Sequence, residues 1–259
     1  MSLEFFTDLI NQLKLDNVFN VVFLFLTFTL GGIVRGFAGF GFTLIVLPLA
    51  ALILPVTSLV PAIVLLEFCG NTQILLKVKK SVDWSWVKAI FLPCLLFTPF
   101  GVWLLTILDQ QTITLVICIF VFCSAIGIHL GYTYKKEPTF LQNTLAGGVA
   151  GIMNGAASMS GPPTVIHAMA DSRNIVVKRA SMIGFFVPAN IVSIIMMSFA
   201  GIFNTHTMML ALLAYPLSYC GNKIGISIFD RSGGANFKLI TVVLLLLISL
   251  FSAYKVLAA

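Results

Sequence analysis

Long runs of apolar residues, separated by short groups of charged residues, proline or glycine, make up most of this sequence. A helix needs about 20 apolar residues to cross the hydrocarbon core of a membrane, and most of the runs reach that length. Two runs, 42–54 and 161–171, are too short, and each follows a glycine-rich stretch, so they predict half-helices or re-entrant elements. The pattern predicts ten helical segments: 18–35, 42–54, 57–76, 86–107, 112–131, 141–153, 161–171, 177–200, 206–229 and 237–257.

Residues 3–15 follow a different pattern. Leu3, Phe6, Ile10 and Leu13 recur at helical spacing, which predicts a short helix lying on the membrane surface. The surrounding acidic residues do not fit the basic start of a signal peptide, so we expect this segment to be retained.

The order of one long segment, one short segment and three long segments occurs twice. It predicts an all-α polytopic membrane protein of two repeats with about five helical segments each, residues 1–135 and 136–259, forming one transmembrane domain. An odd number of segments inverts the second repeat, as in transporters with broken helices and midplane sites. A shift of 119 residues aligns Gly32 with Gly151, Arg35 with Asn154, Gly36 with Gly155 and Asn71 with Asn190, and a shift of 120 aligns Gly101 with Gly221.

The composition excludes a soluble protein, because only 9% of the residues are charged where a soluble domain has about a quarter. Eleven of the 15 basic residues lie in four predicted loops: 77–88, 132–140, 172–179 and 230–238. The positive-inside rule places these loops in the cytoplasm and both termini outside, in the inner (plasma) membrane. This clustering accounts for the net charge of +6 without a nucleic-acid partner.

The first glycine-rich stretch has five glycines between residues 31 and 41. Each costs a helix about 1 kcal/mol relative to alanine, which a simple span would not need. Glycine permits an unwound turn, and the N-terminus of the helix that restarts near Phe42 attracts anions. Arg35 lies beside this turn, where a buried charge is expensive. It is expected to bind an anionic substrate, or else to snorkel towards the membrane surface or pair structurally with Glu67.

The second break spans residues 154–163. Gly161, Pro162 and Pro163 read as a helix start, because proline in the first turn loses no intrahelical hydrogen bond. Ser158 and Ser160 precede it as hydroxyl donors. Two half-helix N-termini facing one cavity would form a site rich in donors and poor in acceptors, which suits an oxyanion. The alternative is a plain loop followed by an ordinary helix.

Together these motifs resemble the TauE/SafE family of sulfite and organosulfonate exporters. The resemblance lies in RGFAGFGFTLIVLP at residues 35–48 and MSGPPTVIH at residues 159–167. It implies a carrier of small sulfur-containing or carboxylated anions. The site residues that it implies are Arg35, Gly36, Gly39, Gly41, Ser160, Gly161, Pro162 and Pro163. The second break departs from the family pattern, with Ala156, Ala157 and Ser158 where further glycines are usual.

Other polar residues inside the segments complete the predicted substrate shell or couple to it. Glu67 is expected to neutralise Arg35 or Lys223, or to carry a coupling proton. His167 is expected either to pack or to relay protons. Asn71 and Asn190, with Asn154, are expected to form helix–helix hydrogen bonds or to contact the substrate.

The sequence therefore predicts a secondary transporter, with export implied by the resemblance, of a small organosulfur or sulfite-type anion. The alternatives are an anion channel and a carboxylate carrier of the same fold. An enzyme is not expected, because the sequence has no HExxH motif, paired aspartates or Ser–His arrangement. No cofactor or metal site is predicted.

Overall fold

The structure is a computed structural model that describes residues 17–109, 138–170 and 174–232, together with residues 112, 113, 115, 116, 119, 120 and 126. These described residues are helical, without a strand, as predicted. The helices are α1 (Val18–Ala38), α2 (Phe42–Ala50), α3 (Val56–Val78), α4 (Trp84–Ile107), α5 (Phe140–Ala157), α6 (Gly161–Met169), α7 (Ile175–Phe199) and α8 (Thr205–Ser232), and a short 3-10 turn, Lys79–Ser81, extends α3.

Four of these helices are long and apolar enough to cross a membrane: α1, α3 with its 3-10 turn, α4 and α7. Helix α4 exposes Leu92, Leu96, Phe100, Trp103 and Ile107, an apolar face that suits lipid. The polytopic helical fold is thus confirmed. The predicted segments 3–15 and 237–257, and most of 112–131, lie outside the described residues.

Polar side chains mark where several helices begin. The Asn17 side chain accepts a hydrogen bond from Phe19 N at the start of α1, and Asp83 accepts from Ser85 N and Trp86 N at the start of α4. Thr139 and Gln142 form a capping box on α5, and Asn174 caps α7. Each cap satisfies an N–H group that has no acceptor within its own helix.

Two helix pairs are in backbone contact through glycine. In the first pair, a Cβ atom on Gly36 of α1 would overlap the carbonyl oxygen of Asn222 on α8. In the second, a Cβ atom on Gly155 of α5 would overlap the carbonyl oxygen of Thr98 on α4. Small residues at such crossings allow close packing inside a membrane, where the hydrophobic effect between helices is absent.

The two glycine contacts correspond residue by residue. Gly32 and Gly36 contact Ser218 and Asn222, whereas Gly151 and Gly155 contact Cys94 and Thr98. The α1 and α5 positions differ by the predicted 119 residues, but the α8 and α4 positions differ by 124. The predicted alignment of Gly101 with Gly221 is therefore wrong by about one helical turn, and the structural counterpart of Gly101 is Gly225.

Helix α3 packs against α7, and more than half of the apolar window of each is buried. The two short helices pack on these longer ones, α2 beside α1 and α3, and α6 beside α5 and α7. Both helix breaks therefore lie beside the packed helices α3 and α7.

Candidate functional site

The first break lies between α1 and α2. Helix α1 ends at Gly39, whose φ of 82° is in the left-handed region and whose N–H donates to Arg35 O at 2.7 Å. Gly41 has a φ of 95° and precedes Phe42, the first residue of α2. Residues with a Cβ atom rarely adopt such angles, so two glycines separated by one residue turn the chain here. The predicted break is confirmed.

The second break lies between α5 and α6. Ser158 ends α5 with a φ of 54°, and it is the single non-glycine residue with a positive φ in the part of the chain that the structure describes. Its N–H donates to Asn154 O at 2.9 Å. Helix α6 begins at Gly161, followed by Pro162 and Pro163, as predicted. Serine in this conformation costs about 1–3 kcal/mol, and such strain concentrates at functional sites.

Both half-helices begin at one cavity of about 250 Å³, a volume that includes its open mouth. Residues from both breaks, from the half-helices α2 and α6, and from α3 and α7 line it. They are Phe40, Gly41, Thr43, Leu44, Glu67, Ser158, Met159, Ser160, Gly161, Pro162 and Phe186. The structure therefore brings together six residues that the sequence singled out: Gly41, Glu67, Ser158, Ser160, Gly161 and Pro162.

On one side of the cavity, Glu67 of α3 caps the N-terminus of α2. Its Oε1 accepts from Thr43 N at 3.3 Å and from Thr43 Oγ1 at 2.9 Å, and its Oε2 accepts from Asn71 Nδ2 at 3.0 Å. Thr43 is the second residue of α2, so its N–H has no intrahelical acceptor. A carboxylate thus already stands at the positive end of α2. The expectation of a site poor in acceptors is wrong on this side.

The second break brings donors to the cavity. Ser158 is 4% exposed, and its Oγ has no hydrogen-bond partner among the described residues. Ser160 is also buried, and its carbonyl accepts from Thr164 Oγ1 at 2.7 Å. Pro162 and Pro163 have no N–H, so Gly161 offers the N–H donor at the start of α6. A ligand oxygen here would meet hydroxyl groups and a helix N-terminus.

Arg35 lies behind the Glu67 side of the cavity and is 1% exposed. Its Nη1 donates to Leu66 O at 2.9 Å, and its Cζ lies 4.5 Å from the centre of the Phe42 ring. The guanidinium fills the space beside Gly70, where a Cβ atom would overlap it. No hydrogen bond joins Arg35 to Glu67 within the described ranges. Arg35 instead contacts the chain neighbours of Glu67 and Thr43.

Comparison with known proteins decides the family. The profile of the sulfite exporter TauE/SafE family matches residues 24–252, which include both breaks. The chain belongs to the TauE/SafE family. Members of this family are membrane transporters, and the family description names sulfite as the exported anion. No curated protein and no solved structure gives a significant match.

Several predicted site residues of this TauE/SafE protein lie away from the cavity lining. Gly36 packs against α8. Gly39 lies against the side chains of Arg179 and Ile183, at 3.1 and 3.2 Å from where a Cβ atom would be. Lys223 is exposed on α8, with its Nζ 4.5 Å from the Tyr219 ring centre. The expectation that Glu67 neutralises Lys223 is therefore wrong.

The predicted asparagines and the histidine occupy buried structural positions. Asn71 donates to Glu67, and Asn154 Nδ2 donates to Ala189 O at 2.9 Å and to Ser193 Oγ at 2.7 Å. Asn190 is buried on α7, and Pro163 is buried on α6. The His167 ring stacks on Trp86, with 5.8 Å between ring centres. Asn154 thus connects α5 to α7 much as Arg35, 119 residues earlier in the chain, connects α1 to α3.

The sequence analysis missed Arg179, which it placed in the cytoplasmic loop 172–179. Helix α7 begins at Ile175, and Arg179 is buried inside it, 4% exposed. Its Nε donates to Phe37 O at 3.1 Å and its Nη2 to Gly36 O at 2.6 Å. Arg179 therefore binds two of the last carbonyls of α1, which have no intrahelical donor. The N-capping residue Asn174 is the signal that could have placed Arg179 within the helix.

Proposed function

We propose that this protein is a secondary transporter whose cargo is a small sulfur-containing oxyanion, bound in the cavity between the two breaks. One observation carries the proposal: the buried Ser158 Oγ, just before α6, has no hydrogen-bond partner among the described residues. A buried hydroxyl without a partner is costly, and a ligand oxygen would satisfy it. Membership of the TauE/SafE family supports a sulfite-type or sulfonate ligand.

The size of the cavity favours a small ligand or a small head group. The space between its walls is narrow in this conformation, with room for a water-sized group, so the group that enters it must be small. Sulfite or a sulfonate head group presents several oxygens to the donors of Ser158, Ser160 and Gly161. A bulky organic tail would have to extend out of the cavity.

The carrier mechanism that we propose uses the two halves, 1–135 and 136–259, as inverted repeats. The equivalent glycine contacts of α1 with α8 and of α5 with α4 support this symmetry. Movement of one half against the other around a fixed midplane site would expose the cavity to each side alternately. We place the protein in the inner membrane, with both termini outside, and infer export as its direction from the family.

Binding to the purified protein tests this function. We expect sulfite or methanesulfonate to raise the thermal unfolding temperature, relative to chloride at the same ionic strength. Ser158→Ala should weaken binding about 10- to 100-fold, because a hydrogen bond to a charged group contributes about 1.5–3 kcal/mol. Ser198→Ala is the matched control, since Ser198 is exposed on α7 and donates to Ile194 O.

One outcome would change the proposed substrate, and another would contradict the proposed site. Stabilisation by acetate but not by sulfur anions would identify a carboxylate carrier of the same fold. Absence of stabilisation by any anion, or equal affinity in Ser158→Ala and wild type, would contradict binding at the second break.

A further inference from the structure

We propose that Glu67 is the proton-coupling residue of this transporter, so that one anion and one proton are bound together. This inference rests on the proposed function, since it concerns the same cavity. It differs from that function in assigning a proton to a specific side chain and in predicting how anion affinity depends on pH.

Both carboxylate oxygens of Glu67 take part in hydrogen bonds. Thr43 N, Thr43 Oγ1 and Asn71 Nδ2 all donate to it, at 3.3, 2.9 and 3.0 Å. An ionised carboxylate is an acceptor only, whereas a protonated one has a hydrogen to donate. When it is ionised, Glu67 therefore places a negative charge of the protein in the wall of the cavity.

A substrate anion would enter the same small cavity. Glu67 and Ser158 both line it, and two negative charges in one small cavity repel strongly where little water is present. The anion can be held beside Glu67 if a proton from the solvent first neutralises the carboxylate. Binding of the anion and of the proton then favour each other, which is reciprocal coupling.

The Thr43 hydroxyl can change its hydrogen-bonding direction when Glu67 takes up a proton. Its hydroxyl donates to Glu67 Oε1, and a hydroxyl can also accept. When Glu67 is protonated, its O–H can donate to Thr43 Oγ1. The Thr43 hydroxyl hydrogen is then free to turn into the cavity, which Thr43 also lines. Protonation thus removes a repelling charge and adds a donor for the anion.

Of the other charged and titratable groups near Glu67, Arg35 acts on both steps: its positive charge attracts the ionised carboxylate and also attracts an anion. Arg35 from α1 interacts electrostatically with Glu67, with Cys69 on α3 and with Tyr215 on α8. Helix α2 contributes no titratable side chain, and α6 contributes His167 in its last turn, away from the cavity lining. Helix α7, which packs on α3, contributes the buried Arg179, whose guanidinium is bound to Gly36 O and Phe37 O. Once Glu67 is neutral, the positive charge of Arg35 remains behind the cavity wall and favours an anion.

The test counts protons by isothermal titration calorimetry of sulfite into the purified protein, in two buffers of different ionisation enthalpy. Wild type is compared with Glu67→Gln at one pH, because the difference cancels any proton that sulfite itself takes up. The control is Asp109→Asn, since Asp109 is exposed and bonds to Thr112. We expect wild type and Asp109→Asn to take up about one proton more per bound sulfite than Glu67→Gln.

Wild-type affinity should also rise about tenfold for each unit that the pH falls, after correction for the protonation of sulfite, over the range in which Glu67 is ionised in the empty protein. If Glu67→Gln does not fold, this pH dependence of the wild-type affinity tests the inference by itself. Equal proton uptake by wild type and Glu67→Gln, loss of sulfite binding in folded Glu67→Gln, or a corrected affinity independent of pH would each overturn the inference. Absence of sulfite binding to wild type would instead contradict the proposed function.

Discussion

At the scale of single residues, three buried charged side chains organise the first break. Arg35 holds α3 through Leu66 O, Arg179 holds the end of α1 through Gly36 O and Phe37 O, and Glu67 caps α2. The sequence identified Arg35 and Glu67, because charges inside apolar segments are conspicuous. It missed Arg179, because the charge lies near a helix start, where basic residues usually face the cytoplasm.

We expect Arg35 to act on the site by positioning α2 and α3. Arg35→Ala should lower the thermal unfolding temperature by roughly 3–12 °C, since a buried hydrogen bond from a charged donor contributes about 1.5–3 kcal/mol. Arg35→Lys should also destabilise, because an ammonium group cannot lie flat between Gly70 and the Phe42 ring as a guanidinium does. Differential scanning fluorimetry measures both, with the exposed Lys223→Ala as control.

The sequence alone also allowed Arg35 to bind the anion directly. That role predicts a different pair of results: unchanged thermal stability of Arg35→Ala and lost affinity for sulfite. Measuring both quantities on the same variant distinguishes the two roles of Arg35.

At the scale of elements, both helix breaks could be predicted because glycine and proline fix them locally. The start of α2 after Gly41 and of α6 at Gly161 follow from backbone chemistry. The role of Gly36 could not be predicted, because its contact is with Asn222, 186 residues away in the chain. The left-handed conformation of Ser158 could not be predicted either, because that position is not a glycine.

Substitutions should distinguish the role of the glycines at the helix breaks from the role of the glycines at helix–helix contacts. Gly161→Leu should leave the protein folded in the membrane but abolish transport, because Gly161 lines the cavity and its nearest neighbour is the Phe40 ring. Gly39→Leu should also abolish transport, since its φ of 82° disfavours a side chain. Gly36→Leu should instead prevent folding, because α1 and α8 could not approach. Membrane yield and gel filtration report folding, and liposome uptake reports transport.

Wild-type transport by Gly161→Leu and Gly39→Leu would mean that the breaks serve packing alone. A stable, monodisperse Gly36→Leu protein would contradict the described contact between α1 and α8.

At the scale of the whole molecule, the polytopic helical fold followed from composition and segment length, but the relation between the repeats needed the structure. The 119-residue shift from the sequence pairs the α1 and α5 glycines that make equivalent contacts. Glycine spacing misaligned α4 with α8, because in a chain rich in glycine several registers give one match. The paired contacts at Gly32, Gly36, Gly151 and Gly155 give an offset of 124 residues between α4 and α8.

The orientation in the membrane stays a prediction of the charge distribution. Single cysteines at positions 14 and 79, in a background without native cysteines, should react differently with an impermeant reagent in intact cells. We expect labelling at position 14 and none at position 79, because Lys79 lies in the basic region after α3 that we place in the cytoplasm. Labelling at position 79 with none at position 14 would reverse the topology.

The most direct test of a carrier with its site between the two breaks is counterflow of labelled sulfite. Liposomes that contain the purified protein are loaded with unlabelled sulfite and diluted into a trace of labelled sulfite. We predict that wild type accumulates label transiently above its equilibrium level, that Ser198→Ala does the same, and that Ser158→Ala shows a much smaller transient at the same sulfite concentration. Uptake that never exceeds equilibrium, or a Ser158→Ala transient equal to that of wild type, would contradict the account.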